Sequence, residues 1–224
     1  MQEKIVKMFD EIAESYDVVN RIVSFGSDKL WREKSIKKTL SFTKSNPKVL
    51  DVACGSGDMI EVWRKYTDDV TGLDPSKKML EIAKKRFPDV QFYQGFAQNL
   101  PFEESTFDVI SISFGIRNVV EIQKAIDEFA RVLKKDGVLL ILEFTKPDKK
   151  SLIRNCIDFY STKILPKIGG IISGNKEAYE YLPNSIQNFY TLNELCKKLN
   201  KKFEVKEAKS FKLSPASMII AKKI

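Results

Sequence analysis

In the run VLDVACGSGD, from Val49 to Asp58, an apolar stretch carries Asp51 and is followed by two glycines, Gly55 and Gly57, and then Asp58. Glycines at that spacing let the backbone turn tightly and approach a ligand closely, as in the G-x-G-x-x-G loops that hold a dinucleotide pyrophosphate against a helix amino terminus. Here the third glycine position holds Ile60, and Asp58 falls in the first helical turn, where it repels a pyrophosphate. A close backbone followed by a carboxylate better suits a neutral or cationic molecule, such as S-adenosylmethionine with its ammonium and sulfonium. Asp51, just before the loop, can serve the same ammonium. Asp74 ends the next β-rich run nineteen positions after Gly55. A carboxylate there can accept hydrogen bonds from both ribose hydroxyls.

The rest of the composition narrows the chemistry. Histidine is absent, which removes the usual general base and the commonest metal ligand, so no metal is expected. The 3 cysteines, Cys54, Cys156 and Cys196, are odd in number and far apart, which suits neither a disulfide framework nor a zinc site. A net charge of +8 comes from lysines interleaved with Glu and Asp. That reads as a solvated, mildly basic surface with no nucleic-acid face, although an anionic membrane would also attract it. No run of about 18 apolar residues appears, and MQEKIVKMFDE is a charged, amphipathic start, so a cytoplasmic protein is expected.

Positioning these residues needs an α/β framework. Short β-rich runs at 48–53, 70–74, 90–95, 107–113 and 137–144 alternate with helical runs, which means crossover connections and a parallel sheet. Met79, Leu80, Ala83 and Phe87 recur at helical spacing, as do Ile122, Ala125, Ile126, Phe129, Ala130 and Leu133, and these faces should cover the sheet. Two further runs, 203–211 and 217–223, are joined through KLSP with no room for a crossover helix and predict an antiparallel pair. Ahead of the first strand, Ile5, Met8, Phe9, Ile12, Tyr16 and Val19 form a helical stripe. Asp17 faces away from that stripe by helical spacing, as a surface acid or a base candidate. Glu143 ends the fifth run and so reaches the ligand edge of the sheet, where burial could tune it as a base.

The segments FDEIAESYDVVNRIVSFGSDKLWR, DVACGSGD, LPF, TFDVISISFGIRNV, EFTKP and ILPKIGGIISGNKEAYEYLPNSI together resemble the class I S-adenosylmethionine-dependent methyltransferases. Within them the chain is similar to the UbiE-like family that C-methylates demethylmenaquinone and related polyprenyl quinone precursors. The likeness spans about residues 8–190. SFGIRNV and the YxYLP run are the segments most diagnostic of the quinone branch. The resemblance implies a Rossmann-like, doubly wound, seven-stranded sheet, mostly parallel with an antiparallel last strand, and an N-terminal helical lid. It divides one domain, 1–224, into a lid (1–46), a cofactor-binding core (47–150), a helical substrate cap (151–200) and C-terminal strands (201–224).

By the same resemblance Ser56 in the loop, Asp74 on the ribose, Phe96 and Ala97 beside the adenine, and Ser113 at the end of the fourth strand line the cofactor site. Many methyltransferases carry a carboxylate or amide where this chain has Phe96, which leaves the Ala97 backbone and apolar contact to meet the adenine. Arg117 is assigned to the phenolic oxygen of a quinol acceptor, where a cation raises phenolate character. Asn118 orients that oxygen or a water, and Tyr16 sits in the active site on the covering helix. Trp31 and Arg32 read as structural closure of the lid. The stretch from Leu152 to Ile172 could line an apolar channel for a polyprenyl tail and touch anionic headgroups, or simply pack as a cap. Where the family usually carries a glycine pair and then a histidine, this chain reads FKLSPASMIIAKK, which leaves head-group and tail preference open. A different small aromatic or lipid acceptor, and a non-catalytic cofactor- or lipid-binding protein, are the rival readings, and a homodimer stays open.

Overall fold

The computed structural model describes residues 2–24, 26–146, 176–211 and 214–224. The stretch Leu152 to Ile172 and Cys156, on which the tail channel and one cysteine fall, lie outside the described residues. The chain runs α1 (Gln2–Val23), α2 (Ser27–Leu40), β1 (Val49–Val52), α3 (Asp58–Trp63), β2 (Val70–Asp74), α4 (Lys77–Arg86), β3 (Gln91–Gln94) and β4 (Phe107–Ser113). A short 3-10 turn (Ile116–Asn118) leads to α5 (Ile122–Val132) and β5 (Leu133–Phe144). The described carboxyl-terminal part holds α6 (Lys176–Gln187), α7 (Leu192–Leu199), β6 (Phe203–Ser210) and β7 (Ala216–Lys223).

The strands form one seven-stranded sheet in the order β3-β2-β1-β4-β5-β7-β6. β1 pairs in parallel with β2 and β4, and β7 runs antiparallel to both β5 and β6, as the short connection through Pro215 requires. β1 and β2 are buried along their whole length, so they read as continuous apolar runs rather than alternating ones. Neighbouring residues on a strand point to opposite faces. Leu50, Ile110, Leu139 and Ile141 therefore join one core with Phe129 of α5, while Val49, Val109, Val138 and Leu140 join another with Trp63 of α3 and Ile36 of α2.

Local signals set the helix ends. Ser76 caps α4 by accepting a hydrogen bond from the Met79 N–H at 3.1 Å, and Met79, Leu80 and Ala83 are the face it buries. α5 buries Ala125, Ile126, Phe129 and Ala130 as the spacing predicts, but it stops at Val132. Leu133, expected on that helical face, instead begins β5 opposite Phe107. The next paired positions are Val138 and Val109, so four residues of β5 bulge out against one of β4, with Asp136 at a φ of 61°. The helical spacing ran one residue too far because an apolar side chain at Leu133 serves either element.

Strand order reverses between β1 and β4, the switch point at which open α/β sheets bind ligands beyond the strand carboxyl ends. Helix α1 lies over that edge.

Candidate active site

The backbone leaving β1 adopts the left-handed region at Ala53, Gly55 and Gly57, with φ of 54°, 54° and 96°. A Cβ on Gly57 would stand 2.7 Å from the Phe87 ring, whereas one on Gly55 would meet nothing within 4 Å. One glycine thus permits close packing and the other leaves the loop open. Asp74 at the end of β2 pins the loop: its Oδ2 accepts from the Gly55 N–H at 2.8 Å and its Oδ1 from the Ser76 N–H at 2.8 Å. Burial still outweighs those two bonds and pushes the Asp74 carboxyl up to about 6.

Asp51 sits opposite Ser111 in the β1–β4 pairing. The Ser111 hydroxyl donates to Asp51 Oδ1 at 2.6 Å while accepting from the Trp63 indole N–H at 2.9 Å, a buried chain that fixes the carboxylate. Among the described residues Asp51 Oδ2 is buried without a hydrogen-bond partner, and so is the Ser113 hydroxyl at the end of β4. Burial, only partly offset by Ser111 and Arg32, pushes Asp51 up to about 7. Both side chains line a cavity with Gly55, Ser56, Asp74, Phe96 and Ala97. Phe96 is 37% exposed and Ala97 is buried. Cys54 is buried in the same wall, and burial pushes its thiol up, which keeps it an inert neighbour.

Helix α1 closes the cavity through two aspartates. Asp10 Oδ1 accepts from the Ser76 hydroxyl at 2.5 Å, and Asp17 Oδ1 accepts from the Ser56 hydroxyl at 2.6 Å. Arg86 gathers the other side, with Nη1 3.2 Å from Asp17 and 3.0 Å from Asp58, and donates to the Ser56 carbonyl at 3.0 Å. Asp17 is therefore no surface acid. It lines the cavity beside Tyr16, and its carboxyl is raised by burial and by Asp58. Asp58, offered to a ligand by the sequence reading, is engaged by Arg86. Tyr16 meets Phe9 edge to face at 5.7 Å, and both line the cavity. Trp31 packs among Phe114, Phe144 and Phe211, while its neighbour Arg32, read from the sequence as structural, lines the cavity.

On the other side of the switch point the 3-10 turn carries Arg117 and Asn118. The Arg117 guanidinium pairs with Glu143 and donates from Nε to the Ser185 hydroxyl at 2.9 Å, and its side chain is 5% exposed. The Arg117 and Phe144 N–H groups donate to the same Glu143 carboxylate at 3.1 and 2.6 Å. Burial raises Glu143, and Arg117 opposes that shift. Asn118 lines the cavity, with its Oδ1 accepting from the Tyr181 hydroxyl at 2.9 Å; Arg117 and Glu143 are not among the described residues that line it. Ser185, Tyr181, Ser111 and Trp63 were not singled out by the sequence reading. The only available signal was that Tyr181 and Ser185 fall in the YEYLPNS run.

The wall of the cavity can take a ligand with a cationic end: it holds a buried carboxylate oxygen without a partner among the described residues, the second carboxylate of Asp74 and an open glycine. A model of the ubiE/COQ5 methyltransferase family matches residues 1–220. The chain belongs to that family. A ubiquinone/menaquinone biosynthesis C-methyltransferase of Campylobacter jejuni (serotype O:23/36, strain 81-176) is 53% identical over 232 aligned positions, covering 100% of this chain and 99% of that protein. A demethylmenaquinone methyltransferase of Thermotoga maritima is 42% identical over 89% of this chain and 88% of its own. Membership makes the protein an S-adenosylmethionine-dependent methyltransferase. Among solved structures, an S-adenosylmethionine-dependent methyltransferase of Thermotoga maritima, described as a possible histamine N-methyltransferase, superposes with a TM-score of 0.70 at 20% identity, covering 98% of this chain and all of that one. The [4+2]-cyclase SpnF superposes with a TM-score of 0.69 at 16% identity, over 100% and 96% of the two chains. Likeness at that level is a likeness of fold, which hosts more than one reaction. No group of side chains able to hold a metal ion occurs among the described residues.

Proposed function

We propose that the protein transfers a methyl group to a ring carbon of a reduced polyprenyl quinone precursor of the demethylmenaquinol type. The observation that carries the donor half is the bare, buried Asp51 Oδ2 beside the glycine loop. The acceptor half is supported by the 53% and 42% identical relatives, whose names specify C-methylation in quinone biosynthesis and demethylmenaquinone.

S-adenosylmethionine, when bound, supplies an electrophilic methyl on a sulfonium. What the chain's own residues do is align and shield. Asp51 and Asp74 anchor the two ends of the donor, the Asp10 and Asp17 contacts keep α1 over the cavity, and Phe9 and Tyr16 exclude water from it. Asn118 and Tyr16 are the polar groups we assign to the acceptor oxygen, because both line the cavity. Arg117 and Glu143 act from behind them: the pair fixes the turn that carries Asn118, and the guanidinium favours negative charge on the oxygen Asn118 holds.

A polyprenyl acceptor resides in a bilayer. No helix among the described residues is long and apolar enough to cross a membrane. We therefore read the net charge of +8 as favouring contact with an anionic membrane face, checked by co-sedimentation with acidic and neutral vesicles.

The decisive assay is label transfer from S-adenosylmethionine to a reduced short-chain demethylmenaquinol, beside the oxidised quinone and a simple phenol. Methylation of the reduced quinol alone is expected. Equal transfer to the oxidised form would remove the phenolate mechanism, and preference for the simple phenol would remove the quinone assignment.

A further inference from the structure

We propose that Arg32 binds the carboxylate at the amino-acid end of the methyl donor, facing Asp51, which takes the ammonium. The proposal rests on the donor assignment and adds a residue that the loop and strand positions do not supply.

Three of the four buried side-chain polar atoms without a partner among the described residues belong to residues lining one cavity: Arg32 Nε, Asp51 Oδ2 and the Ser113 hydroxyl. A donor and an acceptor left bare in the same wall are the two halves that an α-amino acid zwitterion completes. Charge reduces the choices further. The described lining contains the aspartates Asp17, Asp51, Asp58 and Asp74 but a single basic side chain, Arg32. Such a surface welcomes a sulfonium and an ammonium, and it leaves a carboxylate one place to go.

The guanidinium is presented for that task. Its Nη1 donates to Asp28 Oδ2 at 2.5 Å, and Asp28 is itself held by the Ser24 hydroxyl at 2.9 Å. Nη2 stands 3.9 Å from Asp58, beyond hydrogen-bond reach, and Nε has no partner among the described residues. Nε and Nη2 form the side edge of the guanidinium, the pair of parallel N–H groups that matches a carboxylate bidentately. The plane is steadied by Phe114, whose ring centroid lies 5.3 Å from the guanidinium carbon. Arg32 is 8% exposed and its Nε is fully buried, so that N–H is not satisfied by bulk water. On this reading helix α2 is part of the donor site.

The test is calorimetric titration of wild type and Arg32→Gln with S-adenosylhomocysteine and with its decarboxylated analogue, which keeps adenine, ribose and ammonium. Wild type is expected to favour the ligand bearing the carboxylate by about tenfold or more, and Arg32→Gln to bind both within about twofold of each other, close to the wild-type affinity for the analogue. Equal weakening of both ligands by the substitution would reduce Arg32 to a packing residue. Wild-type indifference to the carboxylate would overturn the proposal without any variant and leave the donor assignment standing, whereas failure of wild type to bind either ligand would remove both. Arg32→Lys, which keeps the charge and loses the fork, is the second variant should Arg32→Gln not fold, and it should discriminate less than wild type; full wild-type discrimination would contradict bidentate binding.

Discussion

Around the glycine loop, Asp51, Ser113 and Arg32 each keep a buried polar atom without a partner among the described residues, whereas beside it Arg117 bonds to Glu143 and Ser185, and Asn118 to Tyr181. Both regions border the same sheet edge; Asp51, Arg32 and Glu143 are buried, while Asn118, Tyr181 and Ser185 are half-buried. An unmet buried polar atom is a penalty that a fold tolerates when a ligand relieves it. On the proposed reading the first region, the donor side, is incomplete until a molecule with a defined pattern of charges arrives. The second, the proposed acceptor side, is bonded among its own described residues, which suits a largely apolar substrate held by shape, with Asn118 as its polar point of reference.

The largest effect should come from breaking the complete side. Glu143→Ala leaves Arg117 buried and uncompensated, and removing one member of a buried pair costs about 3–5 kcal/mol, read as a lower denaturation midpoint. A loss under about 1 kcal/mol would mean that the pair is solvated and the contrast overstated. Next comes the incomplete side. Because burial holds Asp51 up to about 7, lowering the pH protonates it and removes the partner of an ammonium; raising the pH through that value ionises it. Affinity for S-adenosylhomocysteine should thus be about tenfold weaker at pH 6 than at pH 8, and Asp51→Asn should flatten the profile. A wild-type affinity independent of pH over that range would separate Asp51 from the ammonium. The smallest effect is expected at the link between the regions. Tyr181→Phe removes one hydrogen bond to Asn118, worth about 0.5–1.5 kcal/mol, so turnover should fall roughly two- to tenfold while donor affinity stays put. A matching fall in donor affinity would show that the two regions are not separable.

How much of this the sequence disclosed follows the range of the interactions. The strands, the glycine loop and Asp74 are written locally, in apolar runs, turn residues and a nineteen-residue interval, and they stand close to where expected, apart from the early start of β5 at Leu133. Pairings that depend on topology left no local mark. Ser56 meets Asp17 across 39 positions, and Arg117 meets Ser185 across 68. Helical spacing turned Asp17 away from the apolar stripe of α1, but it could not tell that the loop and Arg86 would come to meet it there. Arg32 shows the same limit: Trp-Arg on a polar helix reads as packing until the fold puts it in the same cavity wall as Asp51.

The most direct test of the contrast is a crystal structure of the complex with S-adenosylhomocysteine. The ligand ammonium should lie within hydrogen-bond distance of Asp51 Oδ2 and its ribose hydroxyls on Asp74, with the Arg117–Glu143–Ser185 and Asn118–Tyr181 pairs unchanged. A ligand whose ammonium points away from a still unpartnered Asp51, or whose binding breaks the acceptor-side pairs, would contradict it.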